Sequence, residues 1–272
     1  MQVLTTKRFE FSAAHRYWNP SWSAERNLEV FGKCTSPYGH GHNYVLEVTV
    51  AGEVHPATGM VINVTDLKRI VGTVLEGFDH KHLNEDTMYF RDRQPTTENI
   101  VQTLWSLIAV ALPEEVLLHR LRLYETDEIF ADYYGEQTAT FGRSYRFSAA
   151  HRLHSPKLSD AENQDLYGKC NNQHGHGHDY RFEVTVEGPI DRQTGMVINL
   201  VDLDNAVQPL LDDLDHTHID RQQAYFAERP STAENIVSYL WQRLSCSVGE
   251  RLRWVKLWET PNNVFEFGTA QP

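Results

Sequence analysis

The sequence predicts an α+β protein made of two consecutive copies of one domain, each with the element order β-β-α-α-β-β. Three observations support this fold class: an internal repeat that runs through the whole chain, alternating strand patterns in each copy, and helical apolar stripes between those strands. The chain has 272 residues, which fits one large domain or two small ones. The repeat decides between the two.

The two halves of the chain match at an almost constant offset. Phe11–Arg16 recurs as Phe147–Arg152, 136 positions later. The same offset relates a Gly-Lys-Cys segment, a His-Gly-His segment, a Thr-Gly-Met-Val-Ile-Asn segment and an Asp-His pair in the two halves. Only in the last strands does the offset differ, by two positions. We therefore expect a tandem duplication, with one repeat at 1–136 and the other at 137–272.

Each repeat opens with two predicted strands. The segment Tyr44–Val50 alternates apolar and polar residues and is rich in β-branched side chains, and a preceding strand ends near His15. Two helices follow. The first is predicted after an N-cap at Thr65, and the second after Thr96-Thr97-Glu98, ending by Pro113.

A closing hairpin, predicted at 117–124 and 129–134, completes each repeat. Four antiparallel strands covered on one face by two helices leave sheet edges open, and open edges need covering. The pattern therefore predicts assembly of several copies through their sheets.

Composition and charge exclude several classes of protein. The formal net charge of −12 argues against a general nucleic-acid binder. The N-terminus lacks the apolar core of a signal peptide, and the sequence has no run long enough for a membrane helix. Three cysteines do not form a disulfide framework. We expect a cytoplasmic, reduced protein without a membrane segment, and a core position for Cys246, which has no counterpart in the first repeat.

Three histidines in each repeat are candidate metal ligands. Residues two apart in a strand share a face, so the two histidines of each His-Gly-His segment project together. If the first two strands pair antiparallel, the histidine at the end of the first strand lies beside them. Three neutral imidazoles without a fourth protein ligand are typical of a catalytic zinc site, although imidazole suits other metals too. The predicted ligands are His15, His40 and His42, and then His151, His176 and His178.

Other residues near the histidine triplets carry further chemistry. His174 also precedes the second triplet, but the repeat pairs it with Tyr38, so it is not expected to be a ligand. Cys34 and Cys170 each come six residues before the first histidine of a His-Gly-His segment. Each cysteine can be a base beside the metal, a fourth ligand or an inert thiol, and we favour the base.

An acidic residue precedes a histidine after the first helix of each repeat, at Asp79-His80 and Asp215-His216. A carboxylate beside an imidazole can orient the ring and raise its basicity, which makes the pair a candidate for acid–base catalysis. A single Asp-His pair would be a weak signal. Its recurrence beside the same cysteine and histidine pattern makes it a catalytic candidate.

These motifs in this order resemble the 6-pyruvoyltetrahydropterin synthase family. The resemblance covers nearly all of each repeat. It implies a tunnelling (T-) fold, in which four-stranded sheets close into barrels and active sites lie between neighbouring sheets. It also implies a zinc-dependent lyase that converts 7,8-dihydroneopterin triphosphate to 6-pyruvoyltetrahydropterin with release of triphosphate, with one zinc for each repeat and two for each chain.

The resemblance also implies roles for individual residues. The two cysteines match the family's base, and the two Asp-His pairs match its proton-relay partners, contributed across an interface. Glu125 and Glu259 match the glutamate that anchors the pterin, and Thr96 and Thr232 match a threonine near it. The family's second threonine is Thr97 in the first repeat and an alanine in the second.

Two alternative functions remain open at the sequence level. The sister 6-carboxytetrahydropterin synthases of the queuosine pathway use the same substrate, and a duplicated pterin-binding protein without catalysis would keep the same pocket. The longer spacing from cysteine to His-Gly-His favours the pyruvoyl type. For assembly we expect a homotrimer that supplies six sheets, with like repeats in the same barrel. The alternative is a ring of four repeats from two chains.

Overall fold

The computed structural model describes residues 2–269, and the chain divides into two compact units. Unit 1 comprises residues 1–142 together with 187–199, and unit 2 comprises residues 143–186 and 200–272. Unit 1 therefore contains the first repeat and two short segments of the second, residues 137–142 and 187–199. No helix within the described residues is long and apolar enough to cross a membrane.

The first repeat forms five strands and four helices. In chain order they are β1 (Gln2–His15), α1 (Ala24–Phe31), β2 (His40–Glu53), α2 (Val64–Leu75), β3 (Lys81–His82), α3 (Leu83–Asp86), α4 (Thr97–Ala111), β4 (Leu117–Thr126) and β5 (Ile129–Tyr133). Its strands follow the order β5-β4-β2-β1-β3 in the sheet. All neighbours are antiparallel except β3, which pairs parallel with β1.

The second repeat forms the same elements again. They are β6 (Ala139–His151), α5 (Asp160–Tyr167), β7 (His176–Gly188), α6 (Leu200–Leu214), β8 (Thr217–His218), α7 (Ile219–Gln222), α8 (Ala233–Val248), β9 (Leu252–Thr260) and β10 (Asn263–Gly268). The corresponding strand order is β10-β9-β7-β6-β8. The predicted α+β fold is confirmed in both halves.

Strand alternation separates the core face of each sheet from its other face. In β2, every second side chain from Tyr44 to Val50 is fully buried, and Leu121 and Leu123 of β4 join them. Helices α2 and α4 cover this face with residues spaced by one helical turn, among them Leu67, Val71, Ile100 and Leu104. The core thus fixes the register of β1 and β2, and that register positions the histidines.

Three local expectations need correction. Helix α2 begins at Val64 because the Asn63 side chain, not that of Thr65, accepts the cap hydrogen bond, from the Thr65 N–H at 2.9 Å. Helix α1 was not predicted. The side-chain amide of the fully buried Asn27 binds the Asn19 and Ser23 carbonyls in the loop that precedes this helix. Cys246 is exposed rather than in the core, because it lies off the buried stripe of α8.

Candidate active site

The register of β1 and β2 brings the three histidines of the first repeat together. His15, the last residue of β1, lies opposite His40, the first residue of β2. Their Nε2 atoms are 3.1 Å apart, and the Nε2 of His42 lies 3.4 Å from Oε1 of Glu125. One potential ligand atom from each of these four residues lies within 4.8 Å of the others.

A backbone carbonyl fixes how the His15 ring presents its nitrogens. Its Nδ1 is 3.0 Å from the Pro95 carbonyl oxygen, which can only accept a hydrogen bond. Nδ1 therefore carries the proton, and the lone pair of Nε2 points towards the other imidazoles. The second repeat uses the same device, because Nδ1 of His151 lies 2.9 Å from the Ser231 carbonyl oxygen.

His15 and His40 are held in the neutral form that binds metals. Burial lowers the pKa of His15 from 6.5 to about 4, although Glu125 acts in the opposite direction. Burial and then His42 lower the pKa of His40. Neutral imidazoles can donate lone pairs to a cation at neutral pH.

The unsatisfied nitrogens of this centre fit a metal ion. Among the described residues, the buried Nε2 of His42 has no hydrogen-bond partner, and Nε2 of His15 and Nε2 of His40 face each other at 3.1 Å. Buried polar atoms without partners are costly, and a bound cation would satisfy imidazole lone pairs that face one another. Three converging imidazoles suit a tetrahedral ion such as zinc with one position left open.

The second centre repeats the histidines but holds its carboxylate farther away. Nε2 of His151 and Nε2 of His176 are 3.2 Å apart. Oε1 of Glu259 lies 3.9 Å from Nε2 of His151 and 4.0 Å from Nε2 of His178. The cluster of close ligand atoms there contains only the three histidines. Burial lowers the pKa of His151 and of His176, so these rings are also held neutral.

Two hydroxyl groups hold Glu125 in place in the first repeat. The Thr97 hydroxyl donates to Oε2 of Glu125 at 2.5 Å, and the Tyr17 hydroxyl donates to the same oxygen at 3.4 Å. The second repeat has Ala233 and Leu153 at these positions. The loss of both donors accompanies the larger distance between Glu259 and its histidines. Sequence reasoning did not identify Tyr17, because nothing in a loop tyrosine marks it as a partner of a distant glutamate.

The two threonines expected near the pterin act as helix caps. Oγ1 of Thr96 accepts from the Asn99 N–H at the start of α4, and its hydroxyl donates to the Gly195 carbonyl oxygen at 2.5 Å. Thr232 caps α8 in the same way, through the Asn235 N–H. In the first repeat it is Thr97, the next residue, whose hydroxyl contacts Glu125.

Cys34 is half-buried beside an aromatic cluster. It packs against Tyr17, Val30 and Phe31, and its backbone carbonyl accepts from the Tyr17 N–H at 2.9 Å. Burial and then the Glu125 charge raise the pKa of the Cys34 thiol to about 11. Cys170 is half-buried in the equivalent place. Without a nearby positive charge, Cys34 is therefore a thiol at neutral pH.

Each Asp-His pair is held in an unusual backbone conformation. Oδ2 of Asp79 lies 2.9 Å from Nδ1 of His80, and Oδ1 of Asp79 accepts from the Ser12 N–H at 2.8 Å. That backbone hydrogen bond and then His80 lower the pKa of Asp79. His80 has a φ of 55° and His216 a φ of 57°, in the left-handed region that most side chains avoid.

The His80 side chain is exposed and reaches an open cavity. Its exposed fraction is 82 %, and it lines a cavity of about 500 Å³ together with His42, Lys81 and His82. Within residues 2–269, no hydrogen bond or ion pair joins His80 to Cys34 of the same repeat. His174 lies outside both histidine centres. Its side chain is exposed and its N–H donates to Oδ1 of Asn172.

Comparison with known proteins agrees with this geometry. The family model described as "6-pyruvoyl tetrahydropterin synthase" matches the chain twice, at residues 4–136 and 140–270. The 6-pyruvoyl tetrahydrobiopterin synthase of Drosophila melanogaster is 49 % identical over 140 residues, which cover 50 % of this chain and 83 % of the relative. The human protein of the same name is 45 % identical over 136 residues, covering 50 % of this chain and 93 % of the relative.

A solved structure is similar to half of the chain. The 6-pyruvoyl tetrahydropterin synthase of Caenorhabditis elegans has 41 % sequence identity and a TM-score of 0.47, and the match covers 49 % of this chain and 96 % of that one. The double match of the family model accounts for both repeats and for the tandem duplication. The chain therefore belongs to the 6-pyruvoyl tetrahydropterin synthase family, of which it contains two consecutive copies.

Proposed function

We propose that the chain is a zinc-dependent lyase that converts 7,8-dihydroneopterin triphosphate into 6-pyruvoyltetrahydropterin and releases triphosphate. The observation that carries the proposal is the pair of three-imidazole centres, in each of which the ring nitrogens converge. Curated relatives at 45–49 % identity are named 6-pyruvoyl tetrahydrobiopterin synthases, which supports a lyase acting on a pterin phosphate.

The imidazoles of each repeat would hold the metal. His15, His40 and His42 are its ligands in the first repeat, and the second repeat has the three equivalent histidines. A bound zinc ion acts as a Lewis acid that polarises side-chain hydroxyl groups of the substrate and makes the adjacent C–H groups more acidic. The carbonyl groups of Pro95 and Ser231 keep the correct imidazole tautomers ready for this role.

The cysteines remove protons from the substrate side chain. Burial and Glu125 hold Cys34 as a thiol, with a pKa of about 11. A cation held by the imidazoles of the same repeat would act in the opposite sense and favour the thiolate.

The Asp-His pairs carry the proton transfers that follow. The Asp79 carboxylate accepts from Nδ1 of His80, which leaves Nε2 of this exposed ring free to give or take a proton. Because His80 has no described contact with Cys34 of its own repeat, we propose that each pair serves a site that it approaches from a neighbouring repeat.

The glutamates anchor the pterin. A carboxylate can accept two parallel N–H bonds from the 2-amino group and N3 of the ring. Glu125 is 8 % exposed, and Thr97 and Tyr17 hold one of its oxygens. Exchanging Glu125 and Glu259 together for glutamine replaces an acceptor by a donor, which should weaken substrate binding by about 2–4 kcal/mol. An unchanged Michaelis constant in that double variant would contradict the anchoring role.

Product analysis is the direct test of the proposed reaction. Purified protein loaded with zinc is incubated with 7,8-dihydroneopterin triphosphate, and the products are identified by mass spectrometry. We expect 6-pyruvoyltetrahydropterin and triphosphate in equal amounts. Formation of 6-carboxytetrahydropterin with acetaldehyde would assign the sister reaction instead, and tight binding without turnover would identify a pterin-binding protein.

A matched variant shows whether the metal centres are responsible. The His40→Ala/His176→Ala double variant removes one ligand from each centre, and both residues are half-buried at strand starts. It should keep the circular dichroism spectrum of the unmodified protein and lose product formation. Tyr38→Ala, at an exposed position two residues before His40, serves as the control and should retain activity.

A further inference from the structure

Two carboxamide side chains bind the backbone of one short segment of the first repeat. This segment, residues 16–18, follows β1 and is called the β1-exit segment below. Oδ1 of Asn84 accepts from the Arg16 N–H at 2.9 Å, and the Asn84 amide donates to the Arg16 carbonyl at 3.0 Å. Gln94 binds Trp18 in the same way, accepting from its N–H at 2.8 Å and donating to its carbonyl at 2.9 Å.

Tyr17 is the middle residue of the β1-exit segment and reaches the pterin anchor. Its side chain is buried, and its hydroxyl donates to Oε2 of Glu125 at 3.4 Å. The hydrogen bonds on either side restrict the backbone of Tyr17, so the hydroxyl is kept within reach of the carboxylate. Asn84 and Gln94 therefore act on Glu125 through Tyr17.

The second repeat has no carboxamide at the first of these two positions. Asp220 replaces Asn84, and its Oδ2 accepts from the Arg152 N–H at 2.6 Å. A carboxylate has no proton to donate, so it cannot bind the Arg152 carbonyl as Asn84 binds that of Arg16. That carbonyl instead accepts from the Ser231 hydroxyl at 3.5 Å.

The second carboxamide and the tyrosine are replaced as well. Pro230 occupies the position of Gln94, and its side chain has no group that forms hydrogen bonds. Leu153 occupies the position of Tyr17 and has no hydroxyl. Within the described residues, the side chains at 220 and 230 therefore make one hydrogen bond to the segment at 152–154, where the first repeat has four.

The cysteines, by contrast, are held in the same way in the two repeats. The Cys34 carbonyl accepts from the Tyr17 N–H at 2.9 Å, and the Cys170 carbonyl accepts from the Leu153 N–H at the same distance. The exchange of tyrosine for leucine therefore changes the support of the glutamate and leaves the backbone contact of the cysteine intact.

The two glutamates differ accordingly. Oε2 of Glu125 accepts from two hydroxyl groups, whereas Oε2 of Glu259 accepts from the Asn263 amide at 3.5 Å within the described part of the chain. The Glu259 side chain is also the more exposed of the two. A carboxylate that is already held in its binding conformation loses less freedom when a ligand binds, and this raises the affinity.

We propose that Asn84 and Gln94 are positioning residues for the pterin anchor, and that they make the two sites unequal, so that the first repeat binds the pterin ring more tightly than the second. Since the cysteines are held alike, the difference lies in the Michaelis constant and not in kcat. The proposal rests on the proposed function in taking Glu125 and Glu259 as the groups that bind the ring.

Equilibrium binding of neopterin separates the two sites. Neopterin carries the pterin ring without a triphosphate, so calorimetry on zinc-loaded protein measures its binding without turnover. Glu259→Gln leaves the first anchor intact, and Glu125→Gln leaves the second. We expect the dissociation constant to be about fivefold lower in Glu259→Gln than in Glu125→Gln, as for one additional hydrogen bond of ordinary strength.

Variants in the Glu259→Gln background test the path through Tyr17. Gln94→Ala and Tyr17→Phe should each raise the dissociation constant about fivefold. The double variant should raise it no further, because both changes act through the same hydroxyl. Asn84→Asp copies the second repeat, which folds with Asp220 at this position, and should also raise the dissociation constant.

The equivalent position of the second repeat provides the matched control. In the Glu125→Gln background, Pro230→Ala should leave neopterin binding unchanged, because this proline holds no part of the anchor. Steady-state kinetics in the Cys170→Ala background, where only the first site turns over, gives a second readout. There Gln94→Ala should raise the Michaelis constant about fivefold with kcat unchanged. A lower kcat with an unchanged Michaelis constant would overturn the proposal.

Two results of the binding experiment would also overturn it. One is an equal dissociation constant in the two single-anchor variants, and the other is full additivity of Gln94→Ala and Tyr17→Phe. A failure of the proposed function looks different. Neopterin would then bind the Glu125→Gln/Glu259→Gln double variant as tightly as the unmodified protein, which would show that neither glutamate is an anchor.

Discussion

Replacing Glu98 by glutamine is expected to remove a pH-dependent cost from the folded state. Burial raises the pKa of Glu98 from 4.5 to about 7, against the opposing effect of its hydrogen bond from the Val197 N–H. The folded chain therefore binds this proton more tightly than the unfolded chain, so stability falls as the pH rises from the unfolded pKa towards the folded one. Glutamine has no charge to desolvate, and its carbonyl oxygen can still accept from Val197.

The size of the effect follows from the two pKa values. Below pH 4.5 the carboxyl is protonated in both states and contributes nothing. Linkage gives a cost of about 1.4 kcal/mol at pH 5.5 and about 3 kcal/mol at pH 8, where it levels off. The difference in free energy of unfolding between Glu98→Gln and the unmodified protein should therefore grow by about 2 kcal/mol between these pH values.

Urea unfolding at pH 5.5 and pH 8.0 measures this difference directly. The histidines also make the free energy of unfolding depend on pH, but this contribution is the same in all variants and cancels in the comparison. Glu114→Gln removes an exposed carboxylate and should follow the unmodified protein at both pH values. The free energy of unfolding of Glu98→Gln could instead change between the two pH values by the same amount as that of the unmodified protein. That result would refute the argument that burial favours the protonated carboxyl.

Three further predictions concern the metal, the pterin anchor and the sharing of sites. Elemental analysis of dialysed protein should find two zinc ions in the unmodified chain and one in the His176→Ala variant. Two ions in the variant would show that His176 is not a ligand. Thr97→Ala should raise the Michaelis constant of the first site by roughly tenfold or more, since a hydrogen bond to a charged group contributes about 1.5–3 kcal/mol. Ala233→Thr should lower the Michaelis constant of the second site. If neither constant changes, the hydroxyl plays no part in substrate binding. With like repeats sharing sites, as expected above, the Cys34→Ala/His80→Ala double variant should be about as active as Cys34→Ala alone. Loss of all activity in the double variant, with about half retained in each single variant, would establish alternating repeats instead.

The convergence of the three histidines in each repeat could be predicted from sequence because it depends only on local rules. Residues two apart in a strand share a face, and antiparallel pairing of neighbouring strands places His15 opposite His40. The Asp-His pair could be predicted from its recurrence. Its left-handed backbone could not, because a histidine in the sequence does not indicate that conformation. Tyr17 and the carbonyl of Pro95 were missed, since both reach the centre through loops whose course no periodic pattern encodes.

The segment Thr194–Asn199 marks where sequence reasoning ends for this chain. The motif at 58–63 and its copy at 194–199 are identical, so nothing in the residues says that one copy is covered and the other exposed. The expected core position of Cys246 failed for a simpler reason. Hydrophobic character alone does not place a residue on the buried stripe of α8.

The left-handed backbone at His80 and His216 lowers the stability of the fold at two residues that are also proposed to take part in catalysis. A non-glycine residue in this region costs on the order of 1 kcal/mol, and asparagine adopts it more readily than most side chains. His80→Asn should therefore fold at least as well while losing the proton carrier. A copy that no longer served catalysis would gain from that exchange. Both halves of this chain keep the strained histidine, and we therefore expect His80→Asn and His216→Asn each to lower activity while preserving the fold.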